Sequence, residues 1–139
     1  MDHSISKIKN KFLEKLEELK CLKLPHGDYA ITGSGPMAIR GLREANDIDV
    51  VVKKTLWLEL LKRFVPYDSK HMRIGNIEIW GDFINLTERL EEVIDSSELF
   101  DGYPFVTLQD TLSWKKFLNR EKDQKDIKMI EHFIQQHKL

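Results

Sequence analysis

Apolar residues Ile5, Ile8, Phe12, Leu16 and Leu19 fall at spacings of three and four. That period predicts an amphipathic helix, with Ser4 as its cap. The pattern breaks at Pro25 and Gly27, a connection. Tyr29 to Thr32 reads as a short strand, and Gly33-Ser34-Gly35-Pro36 as a sharp turn. Pro36 suits the first position of a helix, expected to run roughly to Leu42. Asp47 to Val52 ends in an unbroken apolar run and predicts a buried strand. A second amphipathic helix follows, capped by Thr55, with Trp57, Leu60, Leu61 and Phe64 on one face and Pro66 ending it. Gly75-Asn76 between His71–Ile74 and Ile77–Trp80 is a two-residue hairpin signal.

Downstream the period returns to helical. Thr87 opens a short helix through Ile94, and Gly102 and Pro104 mark a loop. Thr107-x-x-Asp110 resembles a capping box for a helix through Leu118. Asp123-x-x-Asp126 repeats the signal for a last helix, whose stripe is Ile127, Ile130, Phe133 and Ile134. The order predicts an α/β (α+β) fold: a small mixed β-sheet with flanking helices and a helical C-terminal end. One domain over residues 1–139 is expected, with a core at about 25–95 and C-terminal helices at about 107–137.

Composition narrows the class of function. The chain is 41% hydrophobic and 32% charged, the balance of a globular domain. A formal net charge of -1 supplies no overall attraction for nucleic acid or membrane, so any polyanion needs a local patch. Met1 leads directly into a charged amphipathic segment without the apolar core of a signal peptide, and no run has the length of a membrane span. A cytoplasmic location, without membrane partners, is the expectation. The single cysteine, Cys21, allows no intrachain disulfide. The five histidines are scattered without zinc spacing, and no Gly-Lys-Ser/Thr sequence follows the glycines as a P-loop requires. Ser34 has no accompanying His and acid pattern for a nucleophile.

The chemistry concentrates in ITGSGPMAIRGLREANDIDVVV, residues 31–52. Gly33-x-Gly35-x-x-Ala38 has the outline of a dinucleotide-binding loop. That fold needs its ribose-binding acid at the end of the second strand. Here the acids come first and Val50-Val51-Val52 follows them. A phosphate-and-metal reading fits this order better. Alternation places Asp47 and Asp49 on one face of their strand. Two carboxylates that close repel unless a cation lies between them, and oxygen donors suit a hard ion such as Mg²⁺. Gly33-Ser34-Gly35 precedes a helix start, where free backbone N–H groups can hold a phosphate.

Gly33-Ser34, with Asp47-Ile48-Asp49 beginning thirteen positions after Ser34, resembles the signature of the nucleotidyltransferase superfold of DNA polymerase beta type. The chain is similar to minimal bacterial nucleotidyltransferases, including AbiEii-type toxins, MNT-type antitoxins and antibiotic-modifying enzymes. The match is specific over residues 31–52. A looser one covers Trp114-Lys115 and Arg120-Glu121-Lys122-Asp123-x-x-Asp126, which resemble lysine-bearing helices after the core. The resemblance implies the nucleotidyltransferase fold and transfer of a nucleoside monophosphate from an NTP to an acceptor hydroxyl. It implies Mg²⁺ or Mn²⁺ on Asp47, Asp49 and a third carboxylate from a later strand.

Glu78 is the candidate for that third carboxylate and Asp82 the runner-up. A glutamate departs from the family's commoner aspartate; it would fold back onto the metal or act as base. Gly33 and Ser34 would hold the outer phosphates. Arg40, Lys115 and Lys122 are candidates to neutralise the leaving group, and the first two read equally well as solvated helix-surface charges. Asp126 reads as a cap or surface ion pair, His71 as a surface histidine, and Trp80 as a pocket wall by its parity with Glu78. The acceptor, whether small molecule, protein or RNA, is left open. So are a homodimer and a non-catalytic role beside a toxin or antitoxin partner.

Overall fold

The computed structural model describes residues 3–81 and 89–138, with side chains from Asn10 onward. In chain order the elements are α1 (His3–Leu22), β1 (Tyr29–Thr32), α2 (Gly35–Ala38), β2 (Ile48–Val52), α3 (Lys54–Leu61), β3 (His71–Ile74) and β4 (Ile77–Trp80). Then come α4 (Leu90–Asp95), β5 (Glu98–Phe100), β6 (Tyr103–Phe105), α5 (Leu108–Leu118), a 3₁₀ turn (Glu121–Asp123) and α6 (Gln124–His137). Among the described residues the strands form one mixed sheet in the order β3-β4-β2-β1-β6-β5. The expected mixed sheet with flanking helices and a helical C-terminal end is therefore the architecture observed. Among the same residues no helix is long and apolar enough to cross a membrane.

Strand alternation gives the sheet two faces. Ile31, Ile48, Val50, Val52, Met72, Ile77 and Ile79 share one face, buried against Phe12, Leu16 and Leu19 of α1 and Leu56, Trp57 and Leu60 of α3. Each such side chain contributes about 1.5–3 kcal/mol by leaving water. The opposite face divides in two. Ala30 and Val51 pack beneath Leu90, Val93 and Ile94 of α4, with Trp80 against the same cluster. The neighbouring row, Thr32, Asp49, Glu78 and Arg73, is polar from strand to strand. A third cluster, Met37, Leu108 and Ile130, joins α2 to the two C-terminal helices.

β1 and β2 run antiparallel, with Thr32 opposite Asp49. A dinucleotide-binding βαβ unit requires parallel strands there, so the topology removes that reading of the glycines. The helix expected to reach Leu42 is only one turn of regular helix. Gly41, at φ +74°, closes it with bonds from Gly41 N–H to Ala38 O and from Leu42 N–H to Met37 O. This is a Schellman motif, and glycine supplies its left-handed residue.

The hairpin about Gly75-Asn76 forms as expected, and Thr107 Oγ1 accepts the Asp110 N–H at 3.1 Å to cap α5. The stretch with Gly102 and Pro104 is not a plain loop. It is a second hairpin, β5–β6, turning at Asp101-Gly102 with both φ positive, and the sheet extends past residue 95 to Phe105. α1 begins before Ser4, and the N-cap of α3 is Lys53, so neither Ser4 nor Thr55 caps its helix. Asp123 makes no side-chain bond to the α6 N-terminus; its carboxylate closes the 3₁₀ turn on Arg120 instead. Thr87 and Asp82 lie outside the described residues.

Candidate active site

The end of β1, the start of β2 and the C-terminal helices enclose a cleft of about 680 Å³. Gly33 and Ser34 line it from the turn after β1, Asp49 from β2 and Trp80 from β4. Lys115 enters from α5 and Lys122 from the 3₁₀ turn. Of the residues expected from sequence, these five site residues (Gly33, Ser34, Asp49, Lys115, Lys122) meet in one place.

Gly33 takes φ +65°, and a Cβ built on it would lie 2.6 Å from Asp49 Oδ2. The turn backbone thus rests directly on the carboxylate, and any side chain would displace one of them. Ser34 makes no capping bond with its side chain. Because α2 is one turn long, anion affinity here would come from the turn's own N–H groups and the Ser34 hydroxyl, with little helix dipole behind them.

Asp49 and Glu78 are register partners on adjacent parallel strands, so their carboxylates leave the same face side by side. Burial pushes the Asp49 carboxyl above its ordinary range. The Trp80 indole N–H, donating to Asp49 Oδ1 at 3.3 Å, works against that rise, as does His71. The negative charges of Glu78 and Asp47 add to it. The charge of this carboxylate is disfavoured, and the neighbouring acids add to that rather than relieve it.

The three acids are nevertheless not gathered on a single point. Glu78 Oε2 meets His71 Nε2, and Glu78 Oε1 pairs with Arg73 Nη1 at 3.1 Å. Asp47, half exposed, lies 3.9 Å from Arg73 Nη2 and lines a neighbouring hollow with Glu18 and Asn76. Among the described residues no group of three or more His, Cys, Asp or Glu side chains is arranged to hold a metal ion. Asp49 and Glu78 would be the core of a ligand set only with Arg73 swung aside.

His71 corrects the surface reading. Its ring stacks on Trp80, with centroids 3.8 Å apart and planes 2° from parallel, while it bonds Glu78. Arg40 is a second correction, because it does not line the cleft. Its guanidinium donates to Pro36 O at 2.7 Å, pairs with Glu98 at 3.3 Å and lies 4.7 Å over the Phe100 ring. The cation that reaches the cleft from this segment is Arg43, paired with Asp126 at 2.7 Å. Lys115 and Asp126 are no surface charges either: each is buried, and they pair at 3.1 Å. Trp114, Arg120 and Asp123 also line the cleft. For Arg43 no sequence signal distinguished it from its charged neighbours. The chain matches no family model and no curated protein.

Proposed function

We propose that this protein is a metal-dependent nucleotidyltransferase that moves a nucleoside monophosphate from an NTP to an acceptor hydroxyl. The observation that carries the reading is Asp49 against the Gly33-Ser34 turn in a cleft also lined by Lys70, Lys115 and Lys122, with Glu78, outside the cleft lining, its register partner on β4. The residue pattern of residues 31–52, with its resemblance to nucleotidyltransferases of DNA polymerase beta type, supports it. Asp49, with Asp47 and Glu78, would hold Mg²⁺ or Mn²⁺. The chemistry such an ion supplies is neutralisation of phosphate charge and polarisation of the acceptor oxygen.

Gly33 and Ser34 take the outer phosphates through N–H and hydroxyl donors, and Lys115 and Lys122 face the departing charge. A new bond joins the acceptor oxygen to the α-phosphorus, the bond to the bridging oxygen breaks, and pyrophosphate leaves. Glu78 either completes the ligand set or takes the acceptor proton. The compartment consistent with NTP as substrate is the cytoplasm. The acceptor is a small molecule, a protein or RNA.

Transfer from α-labelled NTPs with Mg²⁺, across those three acceptor classes, tests the reading. Asp49→Asn is expected to lose about 100-fold or more of the rate, the scale of removing one electrostatic stabiliser. Turnover unchanged in that variant would sink the mechanism.

One observation favours a second reading. Glu78 is already paired with Arg73 and bonded to His71, and among the described residues the acids are not assembled for a metal. A non-catalytic protein of the same fold, acting as a toxin–antitoxin component, a nucleotide-binding partner or a homodimer, would keep such a site closed. Stable co-purification with a partner, indifferent to Asp47→Ala and Asp49→Ala, would favour it.

A further inference from the structure

Three elements meet at one buried carboxylate. Asp126, in the first turn of α6, is 4% exposed. Its Oδ2 accepts from Lys115 Nζ of α5 at 3.1 Å and from Arg43 Nη1, in the segment after α2, at 2.7 Å. Lys115 is 6% exposed, and its ammonium also lies 3.8 Å from Asp123 Oδ1. Both cations line the cleft that contains Gly33, Ser34 and Asp49. The apolar cluster of Met37, Leu108 and Ile130 joins the same three parts of the chain.

A lysine ammonium carries three N–H donors and no acceptor. Asp126 holds it on one side, which fixes the direction of the remaining donors. Arg43, a third of it exposed, is a flexible side chain whose fork is steadied from the same oxygen. We infer that Asp126 is a positioning residue: it orients Lys115 and Arg43 on the cleft wall toward the phosphate chain of an incoming nucleoside triphosphate. The inference rests on the nucleotidyl-transfer reading for the identity of the ligand, and on the geometry alone for the role of Asp126.

Positioning and simple charge predict opposite signs. Asp126→Asn deletes a negative charge from a phosphate site, which by Coulomb attraction alone would tighten an anion. Loss of orientation would weaken it. The probe is inorganic triphosphate with Mg²⁺, titrated calorimetrically into the full chain, with melting temperature followed in parallel. Asp126→Asn is expected to weaken binding about tenfold, as truncation of a buried charged partner does, while Asp126→Glu restores most of it. In a Lys115→Met background Asp126→Asn is expected to lose most of its effect, because the two act as a unit.

Equal or tighter binding by folded Asp126→Asn overturns the inference, and so does a wild-type protein that does not bind the probe. Should Asp126→Asn fail to fold, Arg43→Gln removes the more exposed arm and leaves the Lys115 pair intact. It is expected to weaken binding about threefold, and unchanged affinity overturns the inference. Weakened binding in Asp126→Asn, together with an absence of transfer from every NTP, would reject the transfer reading and leave the role of Asp126 standing.

Discussion

Asp49 is placed where an aspartate is least comfortable ionised. Burial raises its carboxyl, and Glu78 and Asp47 raise it further, against the help of the Trp80 N–H. The unfolded chain therefore gives up this proton more readily than the folded one. Its contribution to stability is full below the unfolded carboxyl value of 3.8 and is lost as pH rises through the higher folded value. Above the folded value and without metal the ionised side chain opposes folding. Asparagine keeps the shape and the acceptor for Trp80 while removing the charge. Asp49→Asn is expected to stabilise the metal-free protein by about 1 kcal/mol, the usual return on relieving a strained functional site. The gain should shrink as pH falls below the folded value, where both side chains are neutral. Thermal melts in EDTA from about pH 4 to about pH 8 would read it. A variant that melts lower than wild type across that range would mean Asp49 is already compensated.

Among the elements, the corner between α5 and α6 is held by buried charge. Burial works to raise the Asp123 carboxyl, yet the net shift is downward. Arg120 Nε and Nη2 donate to its two oxygens at 2.7 and 3.0 Å, and the Arg120 N–H and Lys115 add to the pull. A lowered carboxyl stabilises above its unfolded value and loses that contribution as pH falls through the folded value. Arg120→Gln leaves the buried acid with Lys115 and the backbone N–H of residue 120. Because the guanidinium is half exposed and screened, the expected cost at neutral pH is about 1 kcal/mol. The acid limb of the stability profile should also move to higher pH. Urea unfolding from about pH 3 to about pH 7 checks both, and an unmoved acid limb would show that Lys115 and the backbone N–H suffice.

This corner also shows what a sequence hides. Its two acids are spaced like caps for α6, but Asp123 closes the 3₁₀ turn on Arg120 and Asp126 is spent on tertiary pairs with Arg43 and Lys115. Strands with strong local signals, β1 and the β3–β4 hairpin, were readable to the residue. β5 and β6 were not: Gly102 and Pro104 read as a loop, while Asp101-Gly102 is the turn of a short hairpin whose second strand holds Pro104.

Across the whole molecule, the legible part of the cleft was the part fixed by strand parity. Glu78 is marked by interrupting the apolar alternation of its strand once the resemblance implies a third acid, and the sheet adds that its strand is the neighbour of β2 in register. Alternation also puts Asp47 with Asp49, but β2 begins at Ile48 and Asp47 lines another hollow. The cations could not be placed this way. Arg40 and Arg43 are three residues apart, and which of them faces the cleft depends on the path the chain takes after Gly41. A site assembled from parity on one side and tertiary pairing on the other has a global consequence. If a cation bridges its carboxylates, as the proposed reading requires, a cation that binds only the folded state raises the stability of the entire chain. At free Mg²⁺ or Mn²⁺ about 100 times its Kd, the gain is about 2.7 kcal/mol. For a chain of 139 residues that is a rise of about 10 °C in Tm. Arg73 must leave Glu78 for such an ion, so Arg73→Ala should lower the metal concentration needed. Asp49→Asn should abolish the rise, although it melts higher than wild type in EDTA. Melting curves across a metal titration separate these outcomes. If wild type and Asp49→Asn respond alike, the acids do not hold the ion, and the cleft belongs to the non-catalytic reading.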